Sequence, residues 1–346
     1  VKGTDKYFKS SSLTADKIKV LVNGAEVSTN VNVEVGSQVT DVMSSGGKSK
    51  IGEQYTVKVS GTGLPKDANQ IKIQIQPNTL LDNSNNTNKA TDLLLYNTLK
   101  RTYTGEYNEY NNSEHYETAP FLGNTNIQRY RIDNITFVDN IPSTVYDKSA
   151  QAYVDTTAWD VSAQQDKSIL AWYETNSNET VKVYIGSDYE IFGNYDSTDL
   201  FVYVGYSYSC TATETITNIS LLNVGSVTNM LSMFYFTGYR SMTELNLGDN
   251  FDTRSATNMM RMFNGTGNQK MTIFSLGSKF DTSNVTNMNL MFQSFAKNII
   301  TLDLGNKFYT DKVRRMDSMF YDAGCEEMTT LNLGENFNTS SVTSMR

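Results

Sequence analysis

The feature that most constrains this chain is a repeat in its carboxy-terminal part. The segment FDTSNVTNMNLMF begins at Phe280 and returns in altered form from Phe251, Phe308 and Phe337, so these anchors lie 29, 28 and 29 residues apart. Other apolar columns keep the same spacing, and one of them comprises Met230, Met259, Met288, Met316 and Met345. Because a single turn of this length cannot bury its own apolar face, stacked turns must share a continuous core, which predicts a solenoid.

Each repeat also carries the pattern of a short strand. Residues 242–248 read MTELNLG, with apolar side chains at every second position, and strands from successive turns are expected to stack in parallel about 4.8 Å apart.

Thirteen of the 14 Met residues lie between Met230 and Met345. They could form a soft-metal or hydrophobic site, but their register favours a core ladder. Cys210 and Cys325 hold equivalent positions four turns, or roughly 19 Å, apart, which predicts two free thiols.

The repeated units FDTSNVTNM…MF and MTxLNLG resemble the BspA-like leucine-rich-repeat proteins of bacterial cell surfaces, over residues ~155–346. The resemblance implies an extracellular protein at the cell surface or in the cell wall, and often an adhesin. The unit from Phe308 departs from the pattern, since it carries DKVRR where its neighbour has SNVTN. The chain starts at Val1 and stops at Arg346 inside a repeat, so we expect a fragment whose solenoid, residues 216–346, is truncated at the C-terminus.

Residues 155–215 are expected to cap the amino-terminal end of this solenoid. Apolar runs at 168–173, 181–185 and 190–192, separated by turn residues, predict a small antiparallel meander. Trp172 and Tyr184 are expected to pack over the first turn. A sugar-stacking role for Trp159 or Trp172 is the alternative.

Residues 1–98 predict a separate all-β module. Short alternating strands at 18–22, 55–59 and 71–75, with turn residues between them, indicate a β-sandwich, and the pattern resembles the bacterial immunoglobulin-like modules that serve as stalks. The turn at residues 82–88, DNSNNTN, is rich in oxygen ligands for Ca²⁺. It lacks the glycine and the terminal Glu of an EF-hand loop, so a plain Asx-type turn is the competing interpretation.

Residues 99–154 are expected to form a Tyr- and Asn-rich linker and connecting segment. Its first part has almost no aliphatic residues, so it cannot build a core. A solvated linker is one interpretation. A recognition loop is the other, because Tyr among Ser, Gly and Asn is the composition of antibody paratopes. The candidate partner-binding residues in this segment are Tyr103, Tyr107, Tyr110 and Tyr116.

Composition excludes several classes of function. With 29 Lys+Arg against 37 Asp+Glu and a net charge of −8, the chain lacks the basic patch of a nucleic-acid-binding protein. No apolar stretch reaches the ~18–20 residues of a membrane span. The only His, His115, lies in the Tyr-rich segment, and no phosphate loop, HExxH, CxxC or nucleophile elbow occurs. We therefore predict no enzymatic activity, no catalytic residue, no cofactor and no metal.

The predicted function is adhesion, or protein or glycan binding on host or neighbouring cells, through the solenoid surface. Candidate partner-binding residues stand where the repeats vary between fixed apolar columns, although neutral drift would produce the same variation; they are Tyr239, Arg254, Arg314 and Arg315. The alternative function is a structural spacer or a subunit of a cell-surface fibre. Unpaired strands at the ends of a solenoid could then support end-to-end self-association.

Overall fold

The structure is a computed structural model that describes residues 13–22, 25–43, 50–60, 71–76, 91–94, 97–101, 120–163, 165 and 167–346. The protein is mainly β, as predicted. Its contacts divide it into two units, Val1–Tyr96 and Asn97–Arg346. Single 3₁₀ turns occur at Ala15–Lys17, Arg129–Arg131 and Ile219–Leu221.

The first unit contains six described strands: β1 (Ile18–Val22), β2 (Ala25–Glu26), β3 (Asn32–Met43), β4 (Lys50–Ser60), β5 (Ile71–Ile75) and β6 (Thr91–Leu94). Four of them form an antiparallel sheet in the order β2-β1-β5-β6, and β3 pairs with β4 as a separate antiparallel ribbon. The buried side chains of Val20 and Val22 pack against Val33 and Val59 of this ribbon. The strands predicted from alternation at 18–22, 55–59 and 71–75 are confirmed.

The second unit begins with strands that form a mixed sheet and several two- or three-stranded pairings. They are β7 (Asn97–Thr98), β8 (Pro120–Phe121), β9 (Asn124–Gln128), β10 (Ile132–Val138), β11 (Tyr146–Asp147), β12 (Ala152–Tyr153), β13 (Trp159–Asp160), β14 (Leu170–Thr175), β15 (Val181–Gly186), β16 (Ile191–Phe192), β17 (Ile216–Thr217) and β18 (Leu222–Asn223). The five-stranded sheet has the order β13-β14-β15-β10-β17. Strand β10 lies parallel to β15 and β17 and is buried over six of its seven residues, although it falls within residues 99–154.

The predicted antiparallel meander is correct only in part. Strands β14 and β15 are antiparallel, but β16 does not continue the meander; it pairs in parallel with β7 and β18. The reason is that β10 already occupies the other edge of β15. The expected position of Trp172 is also wrong: its ring stacks on Tyr184 at 5.5 Å and belongs to a small core with Ile141, Val145 and Tyr146. Trp159 is the tryptophan that packs against the main core.

The repeats stack in register along a ladder of parallel backbone bridges that joins Asp196, Asn229, Asn258, Asn287, Arg315 and Ser344. Short strands near the other end of each repeat are β19 (Glu244–Asn246), β20 (Ile273–Ser275), β21 (Thr301–Asp303) and β22 (Thr330–Asn332). These strands form two parallel pairs, β19-β20 and β21-β22. The ladder therefore starts at Asp196, inside the segment predicted to be a cap.

Between the bridge residue and the strand, each repeat runs through consecutive turns. Every second N–H donates to the next repeat, as in Met230 N to Asn258 O at 2.9 Å and Ser232 N to Met260 O at 2.9 Å. The intervening N–H groups close local turns, such as Met233 N to Met230 O at 3.2 Å. This alternation satisfies both sets of backbone groups, and it places residues such as Ser232 and Phe236 in the left-handed region.

The core follows the periodic columns. In the methionine column, Met230, Met259, Met288 and Met316 are buried, which confirms the core interpretation, and only Met345 of the last repeat is exposed, by 63%. Phenylalanine rings stack face to face along the axis through Phe201, Phe234, Phe263, Phe292 and Phe320, with centroids 5.2, 5.3, 5.4 and 5.7 Å apart.

Candidate ligand-binding site

Aromatic side chains gather on the surface of the first two stacked repeats. We call the group Tyr203, Tyr206, Tyr208, Tyr235, Phe236, Tyr239 and Arg240 the tyrosine surface. Tyr203 stacks on Phe236 with ring centroids 5.5 Å apart and planes 3° apart. Tyr206 and Tyr239 lie 5.2 Å apart, and Tyr239 also contacts Phe236 at 5.3 Å. Tyr203 is buried, whereas Tyr206, Tyr235, Phe236 and Tyr239 are half-buried and Tyr208 is 84% exposed.

The backbone turns explain why these rings align. Tyr203 N donates to Tyr235 O at 3.0 Å, which makes Tyr203 and Phe236 equivalent positions of successive repeats. Both are in the left-handed conformation, with φ of 59° and 54°. The equivalent residue in the third repeat is Gly265, where an added Cβ would lie 2.7 Å from the Phe236 ring. Gly265 thus leaves room for this ring to lie over the third repeat.

Arg240 is held within this surface by aromatic rings. Its guanidinium carbon lies 3.8 Å from the ring centroid of Tyr208, 4.8 Å from that of Tyr239 and 5.6 Å from that of Tyr206. These are cation–π distances. The buried Nε of Arg240 has no hydrogen-bond partner, and among the described residues no carboxylate lies within ion-pair distance of the guanidinium. The site therefore presents a cation that no carboxylate of the described residues neutralises.

Of the residues predicted to bind a partner, Tyr239 belongs to the tyrosine surface. Arg254 instead pairs with Asp252 at 2.6 Å, and Arg314 donates to the carbonyl of Ser341 at 3.4 Å. Arg315 lies 4.0 Å from Asp317. No hydrogen bond, ion pair or ring contact within the described part joins Tyr239 to any of these three arginines, so the structure does not bring the predicted set together. The remaining candidates, which lie outside the described residues, are Tyr103, Tyr107, Tyr110 and Tyr116. His115 and residues 82–88 lie outside the described residues as well.

Sequence reasoning missed Tyr206, Tyr208 and Arg240. The available signal was a Gly-Tyr pair in each of two consecutive repeats, at Gly205-Tyr206 and Gly238-Tyr239. The first pair was hidden, because Asp196 and Asn229 are 33 residues apart and this repeat does not share the 28–29-residue spacing.

The polar bridge ladder is a structural feature, since its groups are already paired. Asn229 Nδ2 donates to Asp196 Oδ1 and Asn258 Nδ2 donates to Asn229 Oδ1, both at 3.0 Å. Asn258 Oδ1 in turn accepts the N–H of Met260 at 3.1 Å. Asp196 at the start of the ladder forms an ion pair with Arg101. These mutual contacts leave little capacity for a ligand.

A buried arginine closes the start of the stacked repeats. Arg129 donates to the carbonyl oxygens of Asp199, Leu200 and Val202 at 2.9, 3.3 and 3.5 Å. Burial lowers the pKa of Arg129 to about 10, and the Asp199 carboxylate opposes this shift. Arg129 is 2% exposed and lies 5.4 Å from the Phe121 ring centroid. This side chain satisfies backbone groups that the first repeat cannot pair itself.

Neither thiol has the environment of an activated nucleophile. Cys210 and Cys325 are both unpaired. Burial raises the pKa of the Cys210 thiol to about 12, and the neighbouring Asp133 carboxylate acts in the same direction. Burial also raises the pKa of Cys325, helped by Asp322. Both thiols stay protonated at neutral pH.

Two further features are absent from the part of the chain that the structure describes. Within it, no group of three or more His, Cys, Asp or Glu side chains is placed to hold a metal ion. No helix in the same residues has the length and apolar character that a bilayer crossing requires.

Comparison with protein families gave a similarity that lies in the repeats. Residues 207–271 and 235–346 match a family model described as a Mycoplasma protein of unknown function, DUF285. A search of curated proteins and a search of solved structures each gave no match. The matched region includes Tyr208, Tyr239 and Arg240, whereas Tyr203 and Tyr206 precede it.

Proposed function

We propose that this chain is an extracellular bacterial surface protein, at the cell surface or in the cell wall, that binds a protein or glycan on host or neighbouring cells. It acts without enzymatic chemistry. The observation that carries the proposal is the tyrosine surface, where rings and one arginine cluster on the outside of the first two repeats. Tyr and Arg supply a large share of binding energy at protein interfaces.

The fold does not require aromatic residues at these positions. The residues equivalent to Phe236, Tyr239 and Arg240 in the next repeat are Gly265, Asn268 and Gln269, and that repeat stacks with the same backbone bonds. By contrast, the buried methionine column keeps Met at Met230, Met259, Met288 and Met316. An aromatic group that stacking does not need, on a surface that water reaches, is what a binding site would provide.

The repeats serve this function as a leucine-rich-repeat-type solenoid of the BspA-like kind. Support comes from the 28–29-residue spacing, the parallel bridge at every repeat and the continuous phenylalanine stack. Such a scaffold holds surface side chains rigidly, because each one is fixed to a packed turn. The first unit acts as an immunoglobulin-like stalk, which its antiparallel sheet and the packing of Val20 and Val22 on the β3-β4 ribbon support.

A structural role in a spacer or surface fibre is the second candidate function. Its support is the continuous ladder of parallel bridges from Asp196 to Ser344, because a chain of stacked repeats can serve as a spacer.

The test is binding of the full chain to protein and glycan arrays, with a Tyr206→Ser, Tyr239→Ser double variant beside the native chain. Tyr189→Ser is the matched control, because Tyr189 is 52% exposed and lies outside the tyrosine surface. We expect specific array ligands that the double variant loses at least about tenfold and the control retains. Filaments in electron micrographs, with no array ligand, would establish the fibre role instead. Protease treatment of intact cells that leaves the chain uncut would contradict the surface location.

A further inference from the structure

We infer that Arg240 and the surrounding tyrosines form a binding site for a carboxylated sugar, with the guanidinium edge binding the carboxylate and the tyrosine rings contacting the sugar ring. The inference deepens the proposed binding function and rests on it. It names the chemical class of ligand and the residue that selects it.

Arg240 differs from several other arginines of the chain because it faces aromatic rings and not a carboxylate. Several of the others face a carboxylate: Arg101 pairs with Asp196, Arg131 with Glu179, Arg254 with Asp252 and Arg315 with Asp317. Arg240 instead faces the rings of Tyr208, Tyr239 and Tyr206. Stacking uses the flat face of a guanidinium and leaves its edge free for hydrogen bonds in the plane.

One donor of Arg240 is explicitly unused. Its Nε is buried and has no hydrogen-bond partner, and an unpaired buried N–H of a charged group is costly. Because this Nε is buried, an anion can reach only the two terminal nitrogens, where its charge would offset the cost of holding an unneutralised cation among aromatic rings. A carboxylate fits because its two oxygens match the guanidinium fork in a bidentate arrangement.

The site is ordered before any ligand binds. Tyr206, Tyr239 and Phe236 contact one another at 5.2 to 5.8 Å, and Phe236 is itself stacked on Tyr203. These contacts restrict the rotamers around Arg240, so a ligand would not have to order them. The side chain with the greatest freedom is Tyr208, which is 84% exposed and stacks on the guanidinium at 3.8 Å.

Size and charge favour an acidic sugar over a larger acidic partner. A single guanidinium among three tyrosine rings matches one ring-sized ligand, whereas a stable protein interface buries about 800 Å² on each partner. The chain carries a net charge of −8, which opposes the approach of a polyanion and is tolerable for a ligand with one charge. The C–H face of a pyranose can pack on an aromatic ring. The carboxylate supplies the negative charge that no described side chain provides beside Arg240.

The experiment compares glucuronate with glucose, which differ only in the carboxylate at C6. Binding of each sugar, as its methyl glycoside, to the full chain is followed by ligand-observed NMR. We expect methyl glucuronide to bind at least about tenfold more tightly than methyl glucoside, since a charge-assisted bidentate pair is lost with the neutral sugar. Arg240→Gln, which introduces the residue that the next repeat carries at Gln269, should reduce methyl glucuronide binding about tenfold with an unchanged thermal midpoint.

The control variant is Lys148→Gln, because Lys148 is exposed, already pairs with Asp188 and lies outside the tyrosine surface. Equal binding of the two sugars, or full binding by Arg240→Gln, would overturn the inference. A capped glutamate that outcompetes methyl glucuronide in an Arg240-dependent way would also overturn it, in favour of an acidic protein partner. These outcomes leave the proposed binding function standing if array ligands still depend on the tyrosines. That function fails separately if no array ligand is found.

Discussion

The guanidinium of Arg129 donates to the backbone carbonyl of Asp199 at 2.9 Å, and the two side chains share a buried site at the start of the stacked repeats. Asp199 Oδ2 has no hydrogen-bond partner there. Burial raises the pKa of Asp199 to about 7; Arg129 opposes the shift, Asp196 adds to it and Arg261 opposes it. The first repeat therefore contains a carboxyl group that is most stable in its neutral form.

We predict that Asp199→Asn stabilises the protein at neutral and alkaline pH. In the unfolded chain this carboxyl group titrates near pH 4, so between about pH 4 and 7 the folded state binds more protons than the unfolded state. The stability that the neutral group contributes is present below pH 4 and is lost as the pH rises to 7. Asn keeps the neutral form, and we expect a gain on the order of 2–4 kcal/mol at pH 8 and little change at pH 4.

The measurement is urea unfolding of both proteins from pH 4 to pH 9. Asp311→Asn is the control, since Asp311 is exposed in a later repeat. A difference between Asp199→Asn and the native chain that stays constant over this pH range would contradict the buried-carboxyl explanation.

A second prediction concerns the methionine column. Met288 is fully buried between its equivalents in neighbouring repeats, so Met288→Asp would place an unpaired charge in the core. We expect a loss of more than about 4 kcal/mol, or an unfolded repeat region, in circular dichroism and thermal melts. Met345→Asp is the matched control, because Met345 occupies the same column and is 63% exposed. A soluble Met288→Asp protein with a native melting temperature would refute the stacked-core description.

Periodicity explains which parts of this fold could be predicted. Met288 and Phe280 recur at equivalent positions, and an apolar column that recurs at 28–29 residues is buried because every repeat stacks on the next. The first bridge of the ladder was missed, since the 33 residues from Asp196 to Asn229 do not fit that spacing. Strand β10 was missed as well, because it is buried on both faces and its apolar and polar residues do not alternate. Its polar residues Asp133 and Asn134 are buried because they pair with backbone groups later in the chain.

The candidate site was harder to predict for the opposite reason. The residues of the proposed site do not recur: Arg240 is replaced by Gln269 in the next repeat, and Phe236 by Gly265. Sequence variation between the repeats selected both Tyr239 and Arg254 as candidates. The structure distinguishes the two, since Arg254 pairs with Asp252 whereas Tyr239 contacts the Arg240 guanidinium.

A third prediction concerns the buried threonine of each FDT-like unit. Thr282 is 1% exposed, and its hydroxyl donates to the carbonyl of Tyr309 in the next repeat at 2.7 Å. Thr282→Val keeps the shape and removes the donor, so the Tyr309 carbonyl loses this partner; we expect a cost of about 1–3 kcal/mol in urea unfolding. Thr286→Val is the control, because Thr286 is exposed and its hydroxyl bond to Thr257 O is 3.2 Å long. Equal effects of the two changes would contradict a structural role for the buried hydroxyl.

The last prediction links the repeat stack to the tyrosine surface through Gly265. This residue has φ of +68°, and a Cβ there would lie 2.7 Å from the Phe236 ring, whereas Gly305 has φ of +71° with nothing within 4 Å of the added atom. Both alanine variants carry the backbone penalty of about 1 kcal/mol for a left-handed residue, but only Gly265→Ala must also displace the Phe236 ring. We expect Gly265→Ala to be less stable than Gly305→Ala by about 1–2 kcal/mol and to weaken ligand binding at Tyr239 and Arg240. Thermal melts measure the stability difference, and the array assay measures the loss of binding. Identical results for the two variants would show that the position of the Phe236 ring does not depend on the absence of a side chain at residue 265.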